Sequence, residues 1–200
     1  MYAAEFDYVR ASSIEEAISL KGANDDSSLL AGGHSLIPAM KLRLSTPQKL
    51  IDISGLDQLK NISKNGSYIS IGALCTHKQC AESDIIQSNC PALSDAASVI
   101  GDPHVRNKGT LGGALAHSDP QADYPGVVLA LDATIVVQGS RGERTIPVSD
   151  YFTGLWETAL GENEILTEVR IPTDPANANS CYLNFHNLRQ DILMWGAESL

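Results

Sequence analysis

The sequence predicts an α+β fold, in which helices and strands mix without a strict strand–helix–strand alternation. Three observations support this class. Ser13 and Glu16 have the spacing of a capping box, ahead of an amphipathic helix that ends near Gly22. Residues 68–74, YISIGAL, alternate as a strand does, and residues 164–171, EILTEVRI, repeat the strand pattern.

The elements are predicted in order along the chain. Up to residue 53 the pattern indicates a strand, a helix, a strand, a glycine loop, a short helix and a strand. The second and third strands are expected at 28–31 and 49–53, and the short helix at 36–44. Beyond residue 56, Thr76 is expected to cap one helix, Pro91 to open another, and a helix to cover 127–131, with strands 134–138 and 144–148 joined by a turn at 139–142. Residues 101–125 are expected to form a polar, glycine-rich segment, and 174–180 a linker.

Charge and hydropathy exclude several classes of protein. The formal net charge of -10 argues against a nucleic-acid partner and against an anionic membrane surface. Phosphate ligands stay possible, because backbone N–H groups bind them without side-chain charge. The N-terminus lacks a secretory pattern, and the longest apolar stretch, 124–137, is too short to span a bilayer. We therefore expect a cytoplasmic protein.

The four cysteines are expected to be reduced thiols. Cys75 and Cys80 are four residues apart, but the next spacing, to Cys90, matches neither common ferredoxin pattern. Free cysteines in a cytosolic chain are the simpler interpretation.

Histidine and aspartate motifs predict neither a metal site nor a catalytic residue. His117, Asp119 and Asp123 resemble a ligand series, but without further ligands at suitable spacing a polar loop with capping aspartates is favoured. His34 and His77 are more typical of hydrogen-bond donors than of acid–base catalysts.

Two glycine pairs share one pattern. Residues 30–35 read LAGGHS, and residues 110–117 read TLGGALAH. Glycine pairs allow positive φ and can turn consecutive N–H groups towards an anion, so two such loops could hold one dinucleotide. The residues alone leave this open against ordinary chain turns. The P-loop and the G-x-G-x-x-G fingerprint are both absent. Arg106 and Lys108 either offset phosphate charge or are solvated.

Two long segments resemble a known family. AGGHSLIPAMKLRLSTPQKLIDIS, at 31–54, and HVRNKGTLGGALAHSDPQADYP, at 104–125, are similar to the FAD-binding medium subunit of molybdenum hydroxylases, which includes the carbon monoxide dehydrogenase medium subunit and the xanthine dehydrogenase FAD domain. EILTEVRIP, at 164–172, matches a third, weaker segment. The likeness extends from Phe6 to about Pro172.

The resemblance implies a fold and a cofactor site. The fold would be the two-subdomain FAD-binding fold of the vanillyl-alcohol oxidase (PCMH) type, with subdomains at 1–55 and 56–175 and FAD between them. It implies that residues 32–36 cradle the pyrophosphate and that residues 110–114 form the second cofactor loop. It also implies that Asp123 accepts a hydrogen bond from a cofactor hydroxyl, and that Leu160 and Leu166 lie near the flavin or the adenine ring. The residues implied are Gly32, Gly33, His34, Ser35, Leu36, Gly101, Thr110, Leu111, Gly112, Gly113, Ala114, Asp123, Leu160 and Leu166.

The resemblance also implies partners. In the family a molybdopterin-containing large subunit oxidises the substrate, and a small subunit with [2Fe–2S] clusters delivers electrons to FAD. An external acceptor, quinone or NAD, then takes them. Alternatives are a stand-alone FAD-dependent oxidase and a scaffold subunit that has lost flavin. Residues 176–200 are expected to begin a truncated or divergent C-terminal domain. Trp156 and Trp195 are expected in the core or at an interface rather than against the flavin.

Overall fold

The computed structural model describes residues 2–173, 179–187 and 192–196. The strands are β1 (Asp7–Arg10), β2 (Ser27–Leu30), β3 (Lys49–Asp52), β4 (Ile62–Asn65), β5 (Tyr68–Gly72), β6 (Thr134–Gly139), β7 (Gly142–Pro147), β8 (Phe152–Gly154), β9 (Glu157–Thr158), β10 (Ile165–Pro172), β11 (Leu183–Asn187) and β12 (Ile192–Gly196). The α-helices are α1 (Ile14–Gly22), α2 (Leu36–Lys41), α3 (His77–Glu82), α4 (Asp84–Asn89), α5 (Pro91–Val99), α6 (Pro103–Arg106), α7 (Leu111–His117) and α8 (Asp123–Ala130).

The N-terminal sheet is parallel and has the strand order β1-β3-β2. Arg10, Asp52 and Leu30 lie side by side where the three strands end. Ligands of open parallel sheets bind beyond the carboxyl ends of the strands. The glycine loop that follows β2 therefore leaves the sheet at the edge where such a ligand is expected.

Helix α1 crosses between β1 and β2 and begins as the sequence predicts. The Ser13 side chain accepts a hydrogen bond from the Glu16 backbone N–H at 3.1 Å. The Glu16 carboxylate accepts from the Ser12 N–H at 2.7 Å instead of returning to Ser13, so the capping box is half formed. Ala17 is fully buried and packs with Ile51 of the sheet, which fixes the helix on that face.

The second sheet has five antiparallel strands in the order β4-β5-β10-β6-β7. Strand β10 lies in the middle, and its register shifts between Leu166 and Glu168. At this irregularity the Thr167 carbonyl accepts from the Ala73 N–H at 2.9 Å, just beyond the end of β5. Helices α3, α5, α7 and α8 bury their apolar faces in the same core, around the fully buried Tyr124. The predicted α+β architecture is confirmed.

The predicted polar segment 101–125 is partly wrong, because it contains two helices and the start of a third. Asp102 caps α6 by accepting from the N–H groups of His104 and Val105. The second glycine pair lies in the first turn of α7 and has no positive φ. Glycine is a poor helix former, so a glycine pair in the first turn argued against predicting a helix here from the sequence.

The remaining predictions about organisation have mixed outcomes. Cys75, Cys80 and Cys90 are buried free thiols, and Cys181 is an exposed one. Most of the linker predicted at 174–180 lies outside the described residues. No helix in the described part of the chain is long and apolar enough to cross a membrane.

Candidate functional site

The two glycine motifs meet in space. We call residues 31–36 the first glycine loop and residues 108–114 the second glycine motif. A Cβ built on Gly32 would overlap the Lys108 carbonyl oxygen and would lie 2.9 Å from the Gly109 Cα. A Cβ built on Gly113 would lie 3.9 Å from the Ala31 Cβ. The two motifs therefore form one glycine junction, and only a residue without a side chain fits at position 32.

The first glycine loop offers backbone donors. Among the described residues, the N–H groups of 32–36 donate to no group of the protein, and the next donation is from Ile37 to the Gly33 carbonyl at 3.0 Å. Gly33 has φ +74°, which bends the loop back before α2. His34 and Ser35 are exposed, so the loop faces solvent. Consecutive free amides around a left-handed residue are the geometry of an anion cradle.

The second glycine motif uses its amides inside the protein. The N–H groups of Leu111 and Gly112 each donate at 2.9 Å to carbonyls of the 73–75 turn. The Gly113 N–H donates to the Thr110 Oγ1 at 3.1 Å. The expectation that both glycine pairs turn amides to a ligand is therefore wrong for this pair.

Glycine has a packing role at 112. A Cβ built on Gly112 would lie 2.5 Å from the Ala73 Cβ and 2.8 Å from its oxygen. The missing side chain lets the first turn of α7 sit directly on the end of β5. Ala114 follows in the same helix, is half-buried, and donates its N–H to the Thr110 carbonyl at 3.0 Å. The second motif thus contributes a close-packed backbone surface to the junction.

Gly101 and Arg106 shape the turn before α6. Gly101 is exposed and has φ +52°, and a Cβ there would lie 2.9 Å from the Val105 Cβ. The Arg106 Nη1 donates to the carbonyls of Ile100, at 3.1 Å, and Gly101, at 2.8 Å. Arg106 therefore braces this turn while keeping its positive charge beside the junction.

His77 supports the junction from below. Its backbone N–H donates to the Gly109 carbonyl at 3.0 Å, and its Nδ1 lies 3.1 Å from the Tyr124 hydroxyl. Burial lowers the pKa of His77 to about 4, and the nearby charges of His34 and Arg106 add to this effect. The ring is therefore neutral near pH 7 and acts as a structural support.

The other residues implied by the resemblance lie at varied depths. Asp123 is buried, and its Oδ1 accepts a hydrogen bond from the Tyr182 hydroxyl at 2.7 Å. Tyr182 is a site neighbour that the sequence did not reveal. Burial and the Asp123 hydrogen bond raise the pKa of Tyr182 well above its usual range. Leu160 is half-buried, whereas Leu166 is 5% exposed and belongs to the core of the larger sheet.

The histidine–aspartate series at 117–123 has separate local partners. The His117 ring packs edge-on against Trp156, with 4.7 Å between ring centroids. Asp119 accepts from the Gln121 N–H at 2.8 Å, and Asp123 pairs with Tyr182. The side chains in the series therefore serve capping and packing, and among the described residues no group of three or more potential ligands converges on a metal position.

The donor set of the site fits a dinucleotide with a central pyrophosphate. The first glycine loop supplies amides to an anion, and the Arg106 guanidinium adds positive charge nearby. A Cβ at Gly32 would push the first glycine loop away from the Lys108 carbonyl, so glycine is what lets the two backbones approach this closely. The fold and site define an α+β dinucleotide-binding domain.

Comparison with known proteins identifies the family. Residues 4–174 match the family described as the FAD binding domain in molybdopterin dehydrogenase. The chain belongs to this family, and its cofactor is FAD.

Two curated relatives illustrate the likeness. The carbon monoxide dehydrogenase medium chain of Hydrogenophaga pseudoflava is 44% identical over 168 residues, which are 84% of this chain and 58% of that protein. The 6-hydroxypseudooxynicotine dehydrogenase complex subunit alpha of Paenarthrobacter nicotinovorans is 39% identical over 98% of this chain and 66% of that protein. The chain thus spans about three fifths of the length of the curated relatives it matches.

The solved structures agree. The carbon monoxide dehydrogenase from Hydrogenophaga pseudoflava that lacks the Mo-pyranopterin moiety superposes with a TM-score of 0.92 and 38% identity, over 99% of this chain and 72% of that chain.

Proposed function

We propose that this chain is the FAD-binding electron-transfer subunit of a molybdenum hydroxylase. It would take electrons from [2Fe–2S] clusters on a small partner subunit, while a molybdopterin-containing large subunit oxidises the substrate. An external acceptor, quinone or NAD, would reoxidise it. The names of the relatives support this proposal, since one is the medium chain of a dehydrogenase and another is a subunit of a dehydrogenase complex.

The observation that carries the proposal is the glycine junction. Free amides of the first glycine loop lie where Gly32 meets the Lys108 carbonyl, at the carboxyl edge of a parallel sheet. Such a place binds the pyrophosphate of a dinucleotide without needing a net positive chain. This accommodates a protein whose formal charge is -10.

Each part of the site would have its own task. The amides of 32–36 would bind the pyrophosphate, and Thr110, by capping α7, would hold the second glycine motif against the first loop. Asp123 would accept from a cofactor hydroxyl while Tyr182 fixes the carboxylate. Bound FAD supplies the redox chemistry, by taking up electrons and passing them on. The large subunit, and not this chain, would determine which substrate is oxidised.

The proposal extends to location and substrate. Buried free thiols at positions 75, 80 and 90 support a reducing, cytoplasmic compartment.

The two relatives above are named for carbon monoxide and for 6-hydroxypseudooxynicotine, which are unrelated small molecules. A subunit of shared structure within complexes of such different names is consistent with electron transfer rather than substrate choice.

The test combines cofactor binding with partner dependence. The purified chain should bind one FAD, seen as a flavin spectrum after gel filtration, and should show no substrate oxidation alone. With its large and small subunits, addition of substrate should bleach the flavin. A colourless chain under saturating FAD would contradict the proposal, and turnover by the chain alone would support the stand-alone oxidase instead.

A further inference from the structure

A bulky residue occupies a strained turn near the glycine junction. Strands β8 and β9 form a hairpin whose turn contains Leu155 and Trp156. Trp156 has φ +62°, a left-handed conformation in which glycine or asparagine is usual. An outlier of this kind is retained only where surrounding structure or function requires it.

Core packing does not account for Trp156. The side chain is 48% exposed and its neighbour Leu155 is 71% exposed, so of the expected core or interface position the core is wrong for Trp156, and the interface stays a prediction. The side chain of Trp195 lies outside the described part. The indole instead meets the His117 ring nearly edge-on, at 64° between the ring planes. This contact fixes the orientation of the indole and leaves much of its surface open.

The indole packs against one end of α7, and the glycine junction lies at the other end of this helix. His117 is the last residue of α7, a helix of seven residues that begins at the second glycine motif. At 1.5 Å rise per residue, about 6 Å along the helix axis separates Gly113 from His117, the residue that the indole contacts. The Leu160 N–H donates to the Thr158 Oγ1 at 3.4 Å, so the leucine implied at the cofactor lies directly after the last strand of the hairpin.

We propose that Trp156 is a stacking platform for one of the flat rings of bound FAD, with His117 as its positioning residue. The inference rests on the proposed function. With the pyrophosphate at the first glycine loop, a dinucleotide carries an aromatic ring system on each side, and the ring on the α7 side would be the one to meet the indole. Stacking on an aromatic side chain accepts either ring, because both have a π face.

The test uses variants matched to the backbone. Trp156→Gly removes the indole and suits the positive φ, so the variant should fold with an unchanged or higher melting temperature. Trp156→Phe keeps an aromatic face, and Leu155→Ala is the control for the exposed turn. Affinities for FAD, riboflavin 5′-phosphate and ADP would be measured by calorimetry, and the fluorescence of bound flavin would be recorded for each variant.

We expect Trp156→Gly to weaken FAD binding roughly tenfold and to brighten the bound flavin or remove a ring-induced dichroism signal. Trp156→Phe should retain most of the affinity, and Leu155→Ala all of it. Weakened riboflavin 5′-phosphate binding would assign the isoalloxazine ring, whereas weakened ADP binding would assign adenine. Unchanged FAD affinity and spectra in Trp156→Gly would overturn this inference alone. Failure of the unaltered chain to bind FAD would overturn it together with the proposed function.

Discussion

Replacing Gly32 with alanine tests the glycine junction most sharply. The added Cβ would lie 2.8 Å from the Lys108 carbonyl carbon and 2.9 Å from the Gly109 Cα, both backbone atoms with no rotamer to change. Ordinary contact begins at 3.4 Å, so these two atoms alone require a separation of about 0.6 Å, and the overlapping Lys108 carbonyl oxygen requires more. Overpacking of this kind costs about 1–3 kcal/mol.

The same movement should weaken cofactor binding. Loss of one amide hydrogen bond to a charged phosphate costs about 1.5–3 kcal/mol, which corresponds to roughly a ten- to hundredfold higher Kd for FAD. Flavin fluorescence titration measures the Kd, and thermal melting of the cofactor-free chain measures the cost to the fold. Gly33→Ala should also weaken binding, because its φ of +74° strains an L-residue by roughly 1–2 kcal/mol.

Gly126→Ala is the matched control. Gly126 is exposed in helix α8, and a Cβ there meets nothing within 4 Å. Because alanine favours helix by about 0.5–1 kcal/mol, this variant should melt at the same or a higher temperature and bind FAD normally. If Gly32→Ala behaved like Gly126→Ala in both assays, the close approach of the two glycine motifs would not matter to the site.

Three further outcomes are expected. The folded-state pKa of His77, lowered to about 4, lies below the unfolded value near 6.5, so the unfolded chain binds more protons between these pH values. Stability should therefore fall, by on the order of 3 kcal/mol, as pH drops through that window. His77→Asn should make the melting temperature less dependent on pH, and an unchanged pH dependence in that variant would argue against a neutral, buried His77. Thr110→Ala should cost about 1 kcal/mol in urea unfolding by removing the cap on the Gly113 N–H, with Thr110→Ser restoring it; equal midpoints would show that the cap is dispensable. Tyr182→Phe should cost about 1.5–3 kcal/mol by removing a hydrogen bond to the buried Asp123 carboxylate; an unchanged melting temperature would mean that this bond does not hold the segment.

The N-terminal unit was readable from the sequence because its signals are local. Ser13 caps α1, which ends at Gly22 with Ala23 as its C-cap, and short apolar runs bounded by turns give β2 and β3. The β6–β7 hairpin followed for the same reason, with Gly139 and Gly142 pairing across its turn. In each case the residue that fixes the element lies within the element or next to it.

Helix α7 shows where such reading fails. Thr110 is a good cap, and Leu111 and Leu115 lie on one buried face, but two glycines in the first turn outweigh these signals in any propensity argument. The helix forms because the N–H groups of Leu111 and Gly112 bond to the 73–75 turn. Those contacts are tertiary, so they cannot be predicted from the local sequence pattern.

The site was predictable in outline only. A glycine pair after a strand predicts two features of the first glycine loop: a positive φ at Gly33 and backbone amides that are free to bind a ligand. The contact of Gly32 with Lys108 joins segments far apart in sequence, and the Tyr182 hydroxyl reaches Asp123 in the same way. These partners depend on how the sheets and helices pack, so they had to come from the structure. The roles of the implied residues and the division at residue 55 stay predictions.

A crystal structure of the chain grown with saturating FAD tests the central claim most directly. We expect pyrophosphate oxygens at about 3 Å from at least two backbone nitrogens of residues 32–36, with the Gly32–Lys108 contact intact. A pyrophosphate bound elsewhere, or first-loop amides turned away from it, would show that the first glycine loop is not the pyrophosphate site.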